Sequence, residues 1–279
     1  MSDVIAMNRS KIADRIVHRL DQEMSSLKSM YSNSRAKIGY FYVDDLLPPD
    51  LAGKIFENFP RGGNMRLKRS LREYKFIAAQ MNNYDPILEE TVYAFQDDRV
   101  VSLISRMCGK DDLHPDEHLY AGGISMMGHN HFLNPHVDNS HDKDREMWRV
   151  FNLLYYVTPE WPLTEGGNLE LWPDGLREKQ ITIHSKFNRL AVMATHGASW
   201  HSVSPISHSG SMRCCVSNYY FSESPLRPTD GFHITSFRGR PEQIVRDLAL
   251  RADIGLRTAV RKIFKKGVVK TEHVYKRPE

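Results

Sequence analysis

Beyond Pro115 the chain divides into eight short apolar runs: 120–127, 134–138, 148–157, 167–172, 181–184, 189–195, 201–203 and 213–221. Turn-forming residues separate them. Runs this short, rich in aromatic and β-branched side chains, read as strands. Many short strands in succession predict an antiparallel sandwich or barrel. No internal repeat or low-complexity segment interrupts the pattern.

The flanks read differently. Ile12, Ile16, Leu20, Met24 and Leu27 fall on one helical stripe, which predicts a helix packed on the main body. Residues 38–43 read as a strand. Pro48-Pro49-Asp50 starts a helix through Leu51, Ile55 and Phe56 that closes near Pro60 and Gly62-Gly63. Residues 68–81 are charged and take no clear period. Residues 86–95 and 98–108 read as two short helices, the second ending at Gly109. Pro241-Glu242 opens a final helix whose apolar stripe is Ile244, Leu248, Leu256, Val260 and Ile263-Phe264. The fold class is therefore α+β. No linker separates a second domain, so 1–279 is expected to be one domain: 1–114 mainly helical support, 115–222 the strand-rich core, 223–279 a helical extension.

The composition, 41% hydrophobic and 26% charged, is that of a soluble globular chain. No apolar run approaches the ~18 residues of a spanning helix, and the N-terminus lacks the apolar core of a signal peptide. Cys108, Cys214 and Cys215 show no metal-ligand spacing. A reduced, cytoplasmic setting is expected. Residues 236–279 carry a net charge of +7 and the remainder −3. That tail is either a solvated helix face or a surface for an anionic substrate, carrier or membrane. Arg257, Arg261, Lys262, Lys265, Lys266 and Lys270 are expected to point outward while the apolar stripe docks.

Chemistry concentrates in Asn134-Pro135-His136-Val137-Asp138-Asn139. On a strand, residues two apart project from the same face. His136 and Asp138 thus offer a nitrogen and an oxygen side by side, a pairing suited to Fe(II), Mn(II) or Zn(II). His201 follows 65 residues later and Arg213 twelve after that. Two histidines and one carboxylate leave open positions on a metal, and the arginine offers a planar fork for a carboxylate. His196 and His208 compete for the third ligand position; His129, His131 and His141 lie near the first pair as expected rim or surface residues.

His136 and Asp138, Arg149 and Tyr156, Trp161, Gly166-Gly167-Asn168-Leu169, His201 and Arg213 together resemble the 2-oxoglutarate- and Fe(II)-dependent oxygenases, particularly the prolyl-4-hydroxylase-like branch. The resemblance is close over 136–221 and loose from Gly39. It implies a double-stranded β-helix core (jelly-roll, cupin-like), buttressed by the N-terminal helices and followed by the C-terminal helical extension. It implies that His136, Asp138 and His201 bind iron and form the catalytic centre. Arg213 would pair with the distal carboxylate of 2-oxoglutarate, with Tyr156 and Asn152 as further cosubstrate contacts. Gly166-Gly167 would serve a turn. Where relatives place another cosubstrate tyrosine, this chain has Met126.

The implied cofactors are Fe(II), 2-oxoglutarate as cosubstrate and O2, with ascorbate an optional reductant. The expected reaction is hydroxylation of an unactivated C–H bond, with release of succinate and CO2; an acidic ligand at Asp138 leaves no site for halide. The expected partner is a small-molecule substrate, anionic or carrier-linked in one version, and no nucleic acid. The alternatives are a protein or peptide prolyl-type hydroxylase and a cupin-like metal protein that does not use 2-oxoglutarate.

Overall fold

The structure is a computed structural model and describes residues 7–61, 64–263 and 275. The elements in chain order are α1 (Arg9–Gln22), α2 (Met24–Ser34), β1 (Tyr40–Val43), α3 (Pro49–Glu57), β2 (Arg66–Arg69), β3 (Glu73–Ala78), α4 (Pro86–Ala94), α5 (Asp98–Cys108), β4 (His114–Pro115), β5 (Gly123–Met127), β6 (Phe132–Val137), β7 (Trp148–Tyr156), β8 (Leu169–Leu171), β9 (Ile181–Ile183), β10 (Arg189–Ala194), β11 (His201–Val203), β12 (Arg213–Ser222), β13 (Ser236–Phe237) and α6 (Ile244–Ile263).

All strand pairs are antiparallel, in the order β1-β10-β7-β12-β5-β3-β6-β11-β8-β9, with β2 on β3, β4 on β12 and β13 on β6. β3 joins two layers. Its Phe76–Ala78 end pairs with β5, and its Glu73 and Tyr74 pair with β6. In a flat sheet β7 and β11 would stand roughly 24 Å apart, five strand spacings. Side chains from both instead line one cavity, so the sheet curls over and its halves face each other across that cavity. This is the double-stranded β-helix.

The stretch with no clear period, 68–81, supplies β2 and β3. The N-terminal stripe is two helices rather than one. α1 and α2 meet at Glu23, with Ile12, Ile16, Leu20 and Leu27 buried and Met24 half-buried. The Asn8 side chain caps α1 by accepting from the Lys11 N–H. α3, α4 and α5 form as expected, and α5 ends on left-handed Gly109. Gly62-Gly63 lie outside the described residues.

The helices cover the outer face of the β10-β7-β12 layer. Tyr31 of α2 meets Phe151 edge-on at 6.0 Å, and Phe95 meets Tyr155 at 5.8 Å. Along β7, Phe151, Leu153 and Tyr155 enter this helix-facing core, while Asn152, Leu154 and Tyr156 turn inward. Near its start the alternation slips. Phe221 pairs with Arg149 and Tyr220 with Phe151, leaving Val150 as a bulge residue. Val150 and Phe151 both enter the outer core, and Arg149 is thereby moved to the inner face.

The tail differs from expectation. β13, unforeseen, pairs with β6, and α6 begins at Ile244. Its supposed docking stripe is exposed: Ile244 at 71%, Leu248 at 62% and Leu256 at 68%. The helix is held by Leu250 and by ion pairs instead, Asp247 to Arg238 at 2.6 Å and Asp253 to Arg72. The side chains of Val260, Arg261, Lys262 and Ile263, and all of Phe264, Lys265, Lys266 and Lys270, lie outside the described residues. No helix among those described is long and apolar enough to cross a membrane.

Candidate active site

The inner cavity, about 120 Å³, is walled by His136, Asp138 and His201 on one side and by Asn152, Arg213 and Tyr219 on the other. His136 is the next-to-last residue of β6 and Asp138 follows the strand's end. His201 opens β11 directly opposite His136 in the register. The two imidazole centroids are 4.1 Å apart. Asp138 Oδ1 is 3.5 Å from His136 Nε2, and Asp138 Oδ2 is 3.7 Å from His201 Nε2. One donor atom from each of the three residues falls within 4.8 Å of the others.

The tautomers follow from the backbone. His136 Nδ1 lies 3.0 Å from the Asn134 carbonyl and His201 Nδ1 2.9 Å from the Ser199 carbonyl. A carbonyl only accepts, so both Nδ1–H groups donate. When the rings are neutral, each Nε2 presents a lone pair toward Asp138, the orientation metal-ligating histidines need. Burial, reinforced by His136, pushes the His201 imidazole down to about 4 against the pull of Asp138. It is therefore neutral near pH 7. Burial opposes charge on Asp138, but adjacent His136, with His201 and Arg149, holds its carboxyl well below the usual range. Phe237 of β13 stacks on His136 at 4.9 Å.

The opposite wall is cationic. Arg213 opens β12, is buried, and places Nη2 3.2 Å from Met127 Sδ. Its guanidinium lies 5.3 Å from the centre of the Tyr156 ring. Tyr156 is fully buried behind Arg213, and burial pushes its hydroxyl up. Asn152 lies between the walls on β7. Asp138 Oδ2, Asn152 Oδ1, Tyr156 Oη and Arg213 Nε are buried without a hydrogen-bond partner in the described residues. Buried polar atoms are ordinarily paired. Asp138, Asn152 and Arg213 line a site with ligand lone pairs at one end and a cation at the other, which fits a metal ion chelated by a dicarboxylic acid; Tyr156 lies behind Arg213 and does not line the cavity.

The competing histidines are elsewhere. His196 Nδ1 accepts from the Ala198 N–H at 3.2 Å, and His208 packs on Trp161. His129 binds the Ser207 carbonyl, His131 stacks on Tyr74, and His141 packs on Trp148. Met127, not Met126, faces the cavity; Met126 belongs to the outer core. Gly166 and Gly167 make the expected turn. At φ +78°, a Cβ on Gly166 would lie 1.9 Å from the Pro205 carbonyl oxygen, so no other residue fits there.

The sequence reading names Arg149 as a motif residue without giving it a role, and it misses Lys75 and the Glu170–Arg240 pair. Arg149 places Nη1 3.6 Å from Asp138 Oδ1, delivered there by the bulge at Val150. Lys75 of β3 lines the cavity and lies 3.0 Å from Glu73. Behind His201, Glu170 accepts from Ser202 Oγ at 2.6 Å and from Arg240 Nη2 at 2.7 Å, while Arg240 also donates to the Val203 carbonyl. The hydrophobic alternation of β8 and β11 gives no hint of this pair, because Arg240 arrives from beyond β13.

Residues 122–221 match the family model described as the 2OG-Fe(II) oxygenase superfamily. Among solved structures, a prolyl-4-hydroxylase from Pseudomonas putida aligns with TM-score 0.51 at 16% identity, covering 71% of this chain and 99% of that one. A Trichoplax adhaerens prolyl hydroxylase, solved with a hypoxia inducible factor peptide fragment, aligns with TM-score 0.50 at 20% identity, covering 72% and 92%. The epimerase SnoN, in complex with Fe3+, alpha ketoglutarate and nogalamycin RO, aligns with TM-score 0.51 at 11% identity, covering 79% and 88%. At these identities the structural likeness establishes the fold. No curated protein matches the chain by sequence.

Proposed function

The core of this chain belongs to the 2OG-Fe(II) oxygenase superfamily, and on that premise we propose that it hydroxylates an unactivated C–H bond of a small molecule, converting 2-oxoglutarate and O2 to succinate and CO2. The observation that carries this reading is the pairing, across one buried cavity, of the His136–Asp138–His201 cluster with Arg213 and Asn152.

His136, Asp138 and His201 would hold the iron through Nε2, a carboxylate oxygen and Nε2. Iron bound there, with 2-oxoglutarate and O2, supplies the oxidising power for C–H hydroxylation. The protein's own contribution is positional. Asp138 stays ionised in a buried site, and Arg149 beside it fixes the carboxylate's orientation. The Asn134 and Ser199 carbonyls fix both imidazoles. Arg213 would pair with the distal carboxylate of 2-oxoglutarate, and Tyr156 beneath it keeps the guanidinium from swinging away. Asn152 would hydrogen-bond the cosubstrate. The curled sheet excludes bulk water from all of these groups, which strengthens each charged contact.

The cavity, about 120 Å³, and the polar pocket beside it, about 270 Å³, have room for a small molecule or for one side chain of a larger one. The test is succinate formation by purified chain supplied with Fe(II), 2-oxoglutarate and O2, with stimulation by a metabolite panel. Absence of Fe(II)-dependent 2-oxoglutarate turnover across the panel and without substrate would overturn the proposal.

A further inference from the structure

Helix α6 is amphipathic, and it sits with its charged side down. Arg246, Asp247, Leu250, Asp253, Ile254 and Arg257 are buried or half-buried and recur at the spacing of one helical stripe. Within that stripe, Asp247 and Asp253 make the ion pairs with Arg238 and Arg72, and the Arg246 guanidinium lies 5.1 Å from the centre of the Phe132 ring. The apolar stripe faces the other way. Ile244, Val245, Leu248 and Leu256 are exposed, Val245 at 82%, with small residues such as Ala252 and Gly255 between them. A Cβ on Gly255 would meet nothing within 4 Å. Among the exposed residues from 244 to 258, Arg251 alone is charged. A surface helix of a globular protein ordinarily has the reverse arrangement, apolar side in and charged side out.

The neighbouring hairpin extends this surface. Arg72 Nε donates to Asp253 at 3.1 Å, which ties the β2–β3 turn to α6, and the hairpin adds exposed Leu67 and Leu71. Six of the nine large apolar side chains exposed among the described residues therefore lie on these two elements, so the exposure is concentrated rather than scattered. The charge around it has one sign. Residues 64–75 hold Arg66, Lys68, Arg69, Arg72 and Lys75 against Glu73, and the sequence from 236 onward carries +7 with all its acids counted. That combination selects among occupants. A second copy in a two-fold dimer would lay this surface against itself, cations against cations. A nucleic acid would engage the cations through its phosphates and leave the leucines uncovered. A bilayer with anionic lipid takes both, the acyl boundary receiving the apolar stripe and the headgroups the cations.

We propose that α6, with the tip of the β2–β3 hairpin, docks the protein on a membrane surface that contains anionic lipid. The helix axis lies in the plane of the interface, and Ile244, Val245, Leu248 and Leu256 enter the boundary between headgroups and acyl chains. The inward ion pairs of Asp247 and Asp253 fasten the helix to the body of the protein, so docking orients the whole molecule. None of these apolar side chains lines the inner cavity or the pocket beside it, and the proposal stands apart from the oxygenase reading.

The test is co-sedimentation of the full chain with two kinds of vesicle, phosphatidylcholine alone and phosphatidylcholine mixed with phosphatidylserine. Binding to the mixed vesicles should be about tenfold tighter or more, and added salt should weaken it. The double variant Leu248→Gln/Leu256→Gln should lose about tenfold or more on the same vesicles, because two buried apolar contacts with lipid are removed. Both leucines face away from the protein, so the variant keeps the fold. Leu71→Gln, on the other element, gives a separate reading and should bind about threefold more weakly. No binding to the phosphatidylserine vesicles, or equal binding by wild type and the double variant, overturns the proposal. So does a dimer, seen by light scattering, that the double variant dissociates while vesicles stay unbound; that result would assign the face to a second copy of the chain.

Discussion

Arg240→Ala tests whether the charges behind His201 hold the metal site in shape. The Arg240 and Glu170 side chains are 7% and 5% exposed, with Nη2 and Oε2 2.7 Å apart. Removing Arg240 leaves Glu170 as a buried carboxylate with Ser202 as its remaining hydrogen-bond donor. Breaking a buried pair this way costs about 3–5 kcal/mol. At about 2–4 °C per kcal/mol for a domain of this size, Tm should fall by roughly 10 °C. The measurement is thermal or urea unfolding with chelator present, so that metal linkage does not enter. The double variant Glu170→Leu/Arg240→Met removes both charges and should recover to within about 1 kcal/mol of wild type. A second readout links the pair to the site. Glu170 and Arg240 grip β11 next to His201 through Ser202 Oγ and the Val203 carbonyl, and loosening such support commonly weakens metal binding about tenfold. A single variant losing less than about 1 kcal/mol, or a double variant as unstable as the single, would refute the reasoning.

Further outcomes follow from the site. His136→Ala, Asp138→Ala and His201→Ala should each abolish Fe(II) binding, while His196→Ala, whose ring is turned into its own loop, should bind normally; equilibrium dialysis decides. Arg213→Ala should weaken 2-oxoglutarate binding by about 2–5 kcal/mol through loss of its ionic partner, and Tyr156→Phe by about 1 kcal/mol; an unchanged Kd in Arg213→Ala removes the clamp. Glu73 has its carboxyl held down to about 2, from an ordinary 4.5, as Lys75 and Lys68 overcome the opposing effect of burial. A depressed carboxyl stabilises the fold above its unfolded pKa and loses that contribution as pH falls toward the folded value. The Tm gap between wild type and Glu73→Gln in chelator should therefore shrink from pH 5 to pH 3, and a gap independent of pH would contradict the assignment.

The strands of the core were readable because most keep strict alternation, and β11 and β12 start where their apolar runs start. His136, Asp138 and His201 were readable because a strand fixes which side chains share a face. Arg149 was legible as a motif residue, but its place beside Asp138 was not, because one extra residue at Val150 reverses the face of what precedes it, and no local pattern marks the bulge. Residues 68–81 resisted assignment because β2 is largely exposed and the inner face of β3 carries Glu73 and Lys75. Their strand character comes from pairing with β5 and β6, which lie far off in sequence. The tail misled for the converse reason. Helical spacing of Ile244, Leu248 and Leu256 says that these residues share a face, not that the face is covered. Among the described residues, Leu250 and the ion pairs of Asp247 and Asp253 seat the helix, not that stripe.

Because His136 and His201 are opposed across a β6–β11 ladder, the distance between them is an inter-strand spacing. It does not depend on how the 65-residue path from one to the other is laid out. That path can lengthen, shorten or change sequence at its surface turns without disturbing the two imidazoles, provided the ladder keeps its register. A one-residue slip would be another matter, turning His201 to the opposite face of its strand. Insertions at the 174–179 turn should be tolerated, whereas a single insertion inside β11 should not. A scaffold with this property can be re-tailored around its pocket by changing loops alone, its metal chemistry carried along unaltered.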